Sequence, residues 1–202
     1  EGMRGVERPV RARNVARDER VEPASERDLG RGREREHQAE RHRDSPDDPV
    51  GDPWAILGSE VMLAQTQVPR VANAWAPFMA RFPTPAAMTA AGPGAVIAAW
   101  DRLGYPRRAR RLWESAVIIG ERGWPEDLRA LPGVGRYTDG AVRAQAHDAD
   151  VPAVEVNIRR VVERCAGRRL SERECEAESV KLARGLHGRD RLLALMDLGA
   201  LL

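Results

Sequence analysis

The sequence predicts an all-α fold preceded by a charged segment with no core of its own. Over residues 52–202 apolar side chains recur at helical spacing, no alternating period-two run of useful length appears, and Pro and Gly punctuate the ends of the periodic stretches. Residues 1–50 differ in kind. They hold 12 Arg and 13 Asp or Glu, with no aromatic residue, whereas all five Trp, both Tyr and both Phe lie further on. A stretch of that composition cannot bury enough apolar surface to offset the entropy of ordering it, so residues 1–51 read as a disordered charged extension.

From Asp52 each element has a local cause. Asp52 can cap a helix that Pro53 opens, and apolar residues at 54, 57, 61 and 63 carry it over about 54–67. Pro69 opens a second helix near 70–81. PTPAAMTAA gives a short helix, and GPGAVIAAWDRLG another that Gly104 stops. Pro106 starts a long helix over about 106–121, ended by Gly123. PEDLRAL predicts a helix at 125–130, and RYTDGAVRAQAH one at 136–146. Further helices are expected near 156–166, 172–186 and 189–201. Residues 52–150 then form a six-helix subdomain, and 151–202 part of a second.

Between the helices at 125–130 and 136–146 lies LPGVG (131–135). One proline and two glycines there force a sharp turn and leave backbone amides uncovered by side chains. A helix-hairpin-helix of this kind points the positive end of its second helix outward, where it can bind a phosphate without reading a base. Leu131, Gly133, Val134, Gly135 and Arg136 are therefore candidate DNA contacts. The chain past residue 50 carries 21 basic and 18 acidic side chains, so only local clusters could add to this. RRARR (107–111) and the group Arg159, Arg160, Arg164, Arg168 and Arg169 are two such clusters, each readable also as a solvated helix face. Cys165 and Cys175 fit neither a disulfide framework nor a paired metal motif, and His147 and His187 read as surface residues. No apolar run approaches a membrane span. A reduced cytoplasmic protein, acting alone as a monomer and without a membrane partner, is the expectation.

SEVMLAQTQVPRV (59–71), LGYPRRARRL (103–112), LPGVGRYTDGAV (131–142), VPAVEVNIRRV (151–161) and MDLGAL (196–201) resemble, in order and approximate spacing, the MutY-type adenine DNA glycosylases of the helix-hairpin-helix base-excision repair superfamily. The resemblance implies two helical subdomains with a DNA cleft between them. It implies double-stranded DNA containing a mispair as partner, a bacterial and nucleoid-associated setting, and hydrolytic release of adenine opposite 8-oxoguanine or guanine. Glu60 stands where the family has its general acid, and Gln65 where it has the second of two glutamines that probe the helix around the lesion. Tyr137 replaces the Schiff-base lysine of bifunctional relatives, and Asn157 matches the asparagine of an Asp-x-Asn segment. Tyr105 and Gln65 are candidate wedges, and Arg159 a DNA contact. The chain departs from the pattern at Glu155, where the family has its catalytic aspartate, and at Ala64, where it has the first glutamine. The family's [4Fe-4S] cluster would take four cysteines beginning just past Leu202, so 151–202 lacks that loop. A monovalent cation on the hairpin carbonyls is implied as well.

Releasing a purine needs a proton for the leaving base and a negative charge beside the sugar, much as glycoside hydrolysis uses two carboxylates. A glutamate among Met, Leu, Val and Ile is desolvated and holds its proton. Glu60 and Glu155 are expected to face one cavity with Tyr137, although far apart in the chain. Glutamate is expected to be a poorer helix cap than aspartate, leaving Glu155 displaced by its extra methylene.

Overall fold

A computed structural model describes residues 51–202; the expectation for residues 1–50 lies outside the described residues. Helix α1 (Pro53–Leu63) begins as its sequence dictates, with the Asp52 side chain accepting from the Trp54 amide at 2.9 Å. It stops at Leu63, earlier than the expected 67, because Ala64 leaves helical geometry (ψ 112°) and Gln65 turns left-handed (φ 58°). The last carbonyls of a helix lack intrahelical partners. Here the Arg108 guanidinium serves those of Val61, Met62 and Ala64. Helix α2 spans Val68–Arg81, and α3 (Pro85–Trp100) is two short helices joined across a break at Gly92 (φ 79°), just before Pro93. A 3-10 turn at Asp101–Leu103 leads to α4 (Arg107–Arg122), which Gly123 ends at φ 78°.

The helix expected at 125–130 is only a 3-10 turn, Leu128–Ala130. Asp127 accepts from the Arg129 amide at 2.9 Å, and the Leu128 amide donates to Asp139 at 3.2 Å. Such side-chain acceptors draw amides away from the helical ladder. Helix α5 (Arg136–His147) follows the hairpin, then α6 (Val156–Ala166), α7 (Glu172–Leu182, opened by a Ser171–Glu174 capping box) and α8 (Gly188–Leu201). Helix α7 ends short of the expected 186. Among the described residues there is no strand, in agreement with the all-α expectation.

Among the described residues two hydrophobic cores form, and the seam between them runs along α5. Val142 packs into the first, with Trp54, Leu57, Phe78, Phe82, Trp100 and Leu112. Ala141 and Ala144 pack into the second, with Ile158, Val161, Val162, Leu192 and Leu195. In the first core the Phe78 ring meets Phe82 and Trp100 edge-on at 5.0 and 5.6 Å, and the Trp54 indole donates to the Phe82 carbonyl at 3.0 Å. The second core closes by backbone proximity. A Cβ on Gly140 would stand 2.6 Å from the Pro152 oxygen, and one on Gly199 2.5 Å from that of Asn157.

Candidate active site

Glu60 lies on the buried side of α1, 8% exposed, where the seam between the two cores meets the helix. Gln145 from α5 donates from Nε2 to its Oε1 at 2.9 Å. The Tyr137 hydroxyl, two turns earlier on α5, is hydrogen-bonded with the same carboxyl and also faces Met196 Sδ of α8 at 3.8 Å. Burial pushes the Glu60 carboxyl above the ordinary carboxylate range; the bonds from Gln145 and Tyr137 offset this in part, and the charge of Glu155 adds to the rise. Tyr137 is likewise pushed up, first by burial and then by the charges of Glu60 and Glu155. Its phenol therefore stays neutral. Glu60, Tyr137 and Glu155 thus share one electrostatic environment, brought together from α1, α5 and the start of α6.

Glu155 caps α6 itself. Its Oε1 accepts from the amides of Asn157 and Ile158 at 2.7 and 2.9 Å. This corrects the expectation that the longer side chain would cap poorly: it folds back, and the added methylene is taken up in the curl. Both bonds use one oxygen, leaving Oε2 outside the cap. Asn157, next in line, accepts on Oδ1 from Arg160 at 3.3 Å, and its backbone lies against Gly199.

The hairpin divides the residues expected to meet DNA. Leu131 and Val134 are buried, at 2% and 8%, and the Val134 amide donates to the Leu131 carbonyl at 3.2 Å to close the turn. Neither that amide nor either side chain is offered outward, which corrects the assignment of phosphate binding to Val134. Gly133 sits at φ 85°, with the Arg111 stem 3.0 Å from where its Cβ would be; Gly135 has an ordinary extended φ of −100° and open space around it. Gly135 caps α5 without a side chain, so no capping side chain serves the first amides of that helix. Arg136 is exposed, near Glu172 at 3.4 Å and Glu176 at 3.6 Å of α7.

Two further expectations are changed by packing. Arg159 bonds Glu163 and the Leu170 carbonyl within its own lobe, the latter at 2.9 Å. Within RRARR, Arg108 is an internal tie: besides the α1 carbonyls it donates to Thr66 Oγ1 and to the carbonyls of Leu103 and Gly104. It also lies 5.5 Å from the ring centroids of both Trp100 and Tyr105. Tyr105 itself is 62% exposed at φ 48°, and Gln65 is exposed at φ 58°; Arg108 meets the first at its ring and binds the residues on either side of the second, Ala64 and Thr66. Gln145, Arg108 and Met196 went unread as site residues. For Gln145 a signal existed: Tyr137, Ala141 and Gln145 fall at i, i+4 and i+8 of one helix, so Gln145 shares a face with the candidate site residue Tyr137. His147 and His187 stand on the surface as expected.

A family model of HhH-GPD superfamily base excision DNA repair proteins matches residues 59–184. The chain belongs to this superfamily. It is 44% identical over 157 residues to the adenine DNA glycosylase of Mycolicibacterium smegmatis, an overlap covering 73% of this chain and 54% of that protein. The chain thus spans about half the length of that relative. It is 33% identical over 161 residues to the thymine/uracil-DNA glycosylase of Pyrobaculum aerophilum, covering 75% and 70% of the two chains. The superfamily fold is seen also in a thermostable thymine-DNA glycosylase, with a TM-score of 0.67 at 22% identity over 85% of this chain and 88% of the other. Among the described residues no group of three or more His, Cys, Asp or Glu could hold a metal ion; Cys165 is exposed and Cys175 buried. Two separated cysteines do not fit a four-thiolate cluster. No helix of the described residues is long and apolar enough to cross a membrane.

Proposed function

We propose that this chain carries the catalytic centre of a monofunctional adenine DNA glycosylase, which hydrolyses the N-glycosidic bond of adenine mispaired with 8-oxoguanine or guanine. The observation that carries the reading is Glu60, a buried carboxyl that holds its proton beside Tyr137 and within the field of Glu155. The target nucleotide must leave the stack for Glu60 to reach it, with Gln65 and Tyr105 placed to fill the gap. Glu60 then gives its proton to N7 of the adenine. The C1′–N9 bond breaks with its electron pair going to the base, and C1′ becomes oxocarbenium-like. The Glu155 carboxylate stabilises that positive charge, and water adds to C1′, its proton passing to the carboxylate that Glu60 has become. Tyr137 has no amine with which to form an imine, so no β-elimination follows. Away from Glu60, the first amides of α5 bind a phosphate of the duplex, and the hairpin carbonyls are where a monovalent cation would sit.

Two comparisons support the assignment: the 44% identity to an adenine DNA glycosylase, and the position of Glu60 at the start of the matched region. The 33% relative named for thymine and uracil favours a second reading, a glycosylase for thymine in G·T mispairs. Single-turnover base release on duplexes holding A·8-oxoguanine, A·G and T·G separates them. The expected result is release from the first two, abolished by Glu60→Gln with DNA affinity nearly kept. Glu155→Asp should hold or raise the rate. Release from T·G alone favours the second reading; no release from any duplex leaves a non-catalytic DNA-binding relative.

A further inference from the structure

Among the described residues the Glu60 carboxyl meets the Gln145 amide as well as the Tyr137 phenol, and the mechanism above gives Gln145 no part. It comes from the last turn of α5, half-buried, with its amide nitrogen 2.9 Å from Glu60 Oε1. A glutamine amide has two donors and one acceptor, and a protonated carboxyl has one hydroxyl and one carbonyl oxygen. The carbonyl oxygen is the better acceptor. An amide that donates to Oε1 therefore favours Oε1 as the carbonyl and confines the acidic hydrogen to Oε2.

We propose that Gln145 is a positioning residue for the proton of Glu60: by donating to Oε1 it fixes the carboxyl rotamer and makes Oε2 the oxygen that delivers the proton to the flipped base. This rests on Glu60 acting as the acid. The geometry suits the task, because Gln145 lies on the same helix as Tyr137, two turns apart, so that one rigid element sets both partners of the carboxyl. Without Gln145 the carboxyl could present either oxygen, and a proton held on the wrong one must be moved before reaction. Gln145 also lowers the Glu60 affinity for a proton, against burial and against Glu155; Tyr137 from α5 and Glu155 at the start of α6 are the titratable groups that face it. A buried acid too reluctant to ionise is a weak donor, so the amide both aims the proton and loosens it.

The test uses Gln145→Met, similar in length and without a donor, and the side-chain amide resonance of Gln145 in the parent protein. In single-turnover base release the variant should fall roughly tenfold on the low-pH plateau, as the carboxyl loses its fixed orientation. The alkaline limb, where Glu60 loses its proton, should move to higher pH because a bond favouring the carboxylate is gone. The Gln145 amide resonance should titrate with that limb in the parent, and the titration should vanish in Glu60→Gln. A rate lowered by one factor at every pH, with the limb unmoved, would make Gln145 merely structural and overturn the proposal. A limb moved to lower pH would do so too, since the amide would then accept from the acid. If the parent releases no base, the functional reading fails, and the amide titration alone decides whether Gln145 reports the Glu60 proton; an amide that does not titrate sinks the inference, also where Gln145→Met fails to fold.

Discussion

The two cores on either side of α5 are built differently. The first is large and aromatic: Trp54, Phe78, Phe82 and Trp100 interlock, and their indoles find carbonyl partners. The second contains Ala, Val, Ile, Leu and Cys, closed by glycines at backbone contact and by ionic ties such as buried Arg191 to Asp150. An aromatic core resists through area and tolerates small shifts; a core closed at backbone distance has nowhere to yield. The candidate centre takes its acid from the first lobe and its negative charge from the second. If the proposed function holds, base release depends on the joint between these two lobes, and a change in the second that moves Glu155 should reach it.

The largest effect should fall on the aromatic side. Trp100→Ala is expected to cost about 4 kcal/mol, against about 2–3 kcal/mol for Leu195→Ala in the second core, read by urea unfolding. Equal costs would erase the distinction between the lobes. Gly199→Val should cost roughly 3 kcal/mol by overpacking, and it should lower base release further than stability alone explains. The added carbons meet the Asn157 backbone, one turn from the Glu155 cap. A variant that loses stability but keeps its rate at a temperature where it is folded would show that the second lobe does not position Glu155.

A smaller change has the opposite sign. The folded pKa of Glu60 is raised, so ionised Glu60 opposes folding. That cost is absent below the ordinary value of 4.5, grows as pH rises to the folded value, and is constant above it. Glu60→Gln should therefore raise Tm at pH 8 and lose the gain toward pH 4, while abolishing base release. A Tm difference that does not depend on pH would place the carboxyl in solvent. The smallest effect on stability belongs to Gly135→Ala, within about 0.5 kcal/mol since φ is ordinary and space is open. Gly133→Ala should cost about 1 kcal/mol or more at φ 85°. If a phosphate sits on the hairpin, Gly135→Ala nonetheless weakens duplex binding for all sequences alike, measured by filter binding at fixed salt.

What the sequence by itself determined is local. Asp52 and Pro53 start α1, Gly123 stops α4, Ser171 with Glu174 caps α7, and LPGVG turns the chain, because each depends on residues within one helical turn of one another. Glu60 stands out as a candidate acid through the resemblance of SEVML (59–63) to the family's motif; as a lone charge in an apolar run it reads equally as a residue on the wet face of its helix. Tertiary structure alone decided which groups that acid meets. Gln145 lies 85 residues from Glu60 in the chain and Tyr137 lies 59 from Met196; no periodicity reports such pairs. It also decided that Arg108 and Arg159 serve carbonyls and carboxylates of their own fold, that Leu131 and Val134 point inward, and that Glu155 folds back to cap. A charged or apolar side chain can satisfy itself in several ways, and only the surfaces that packing brings within about 3 Å determine which is realised.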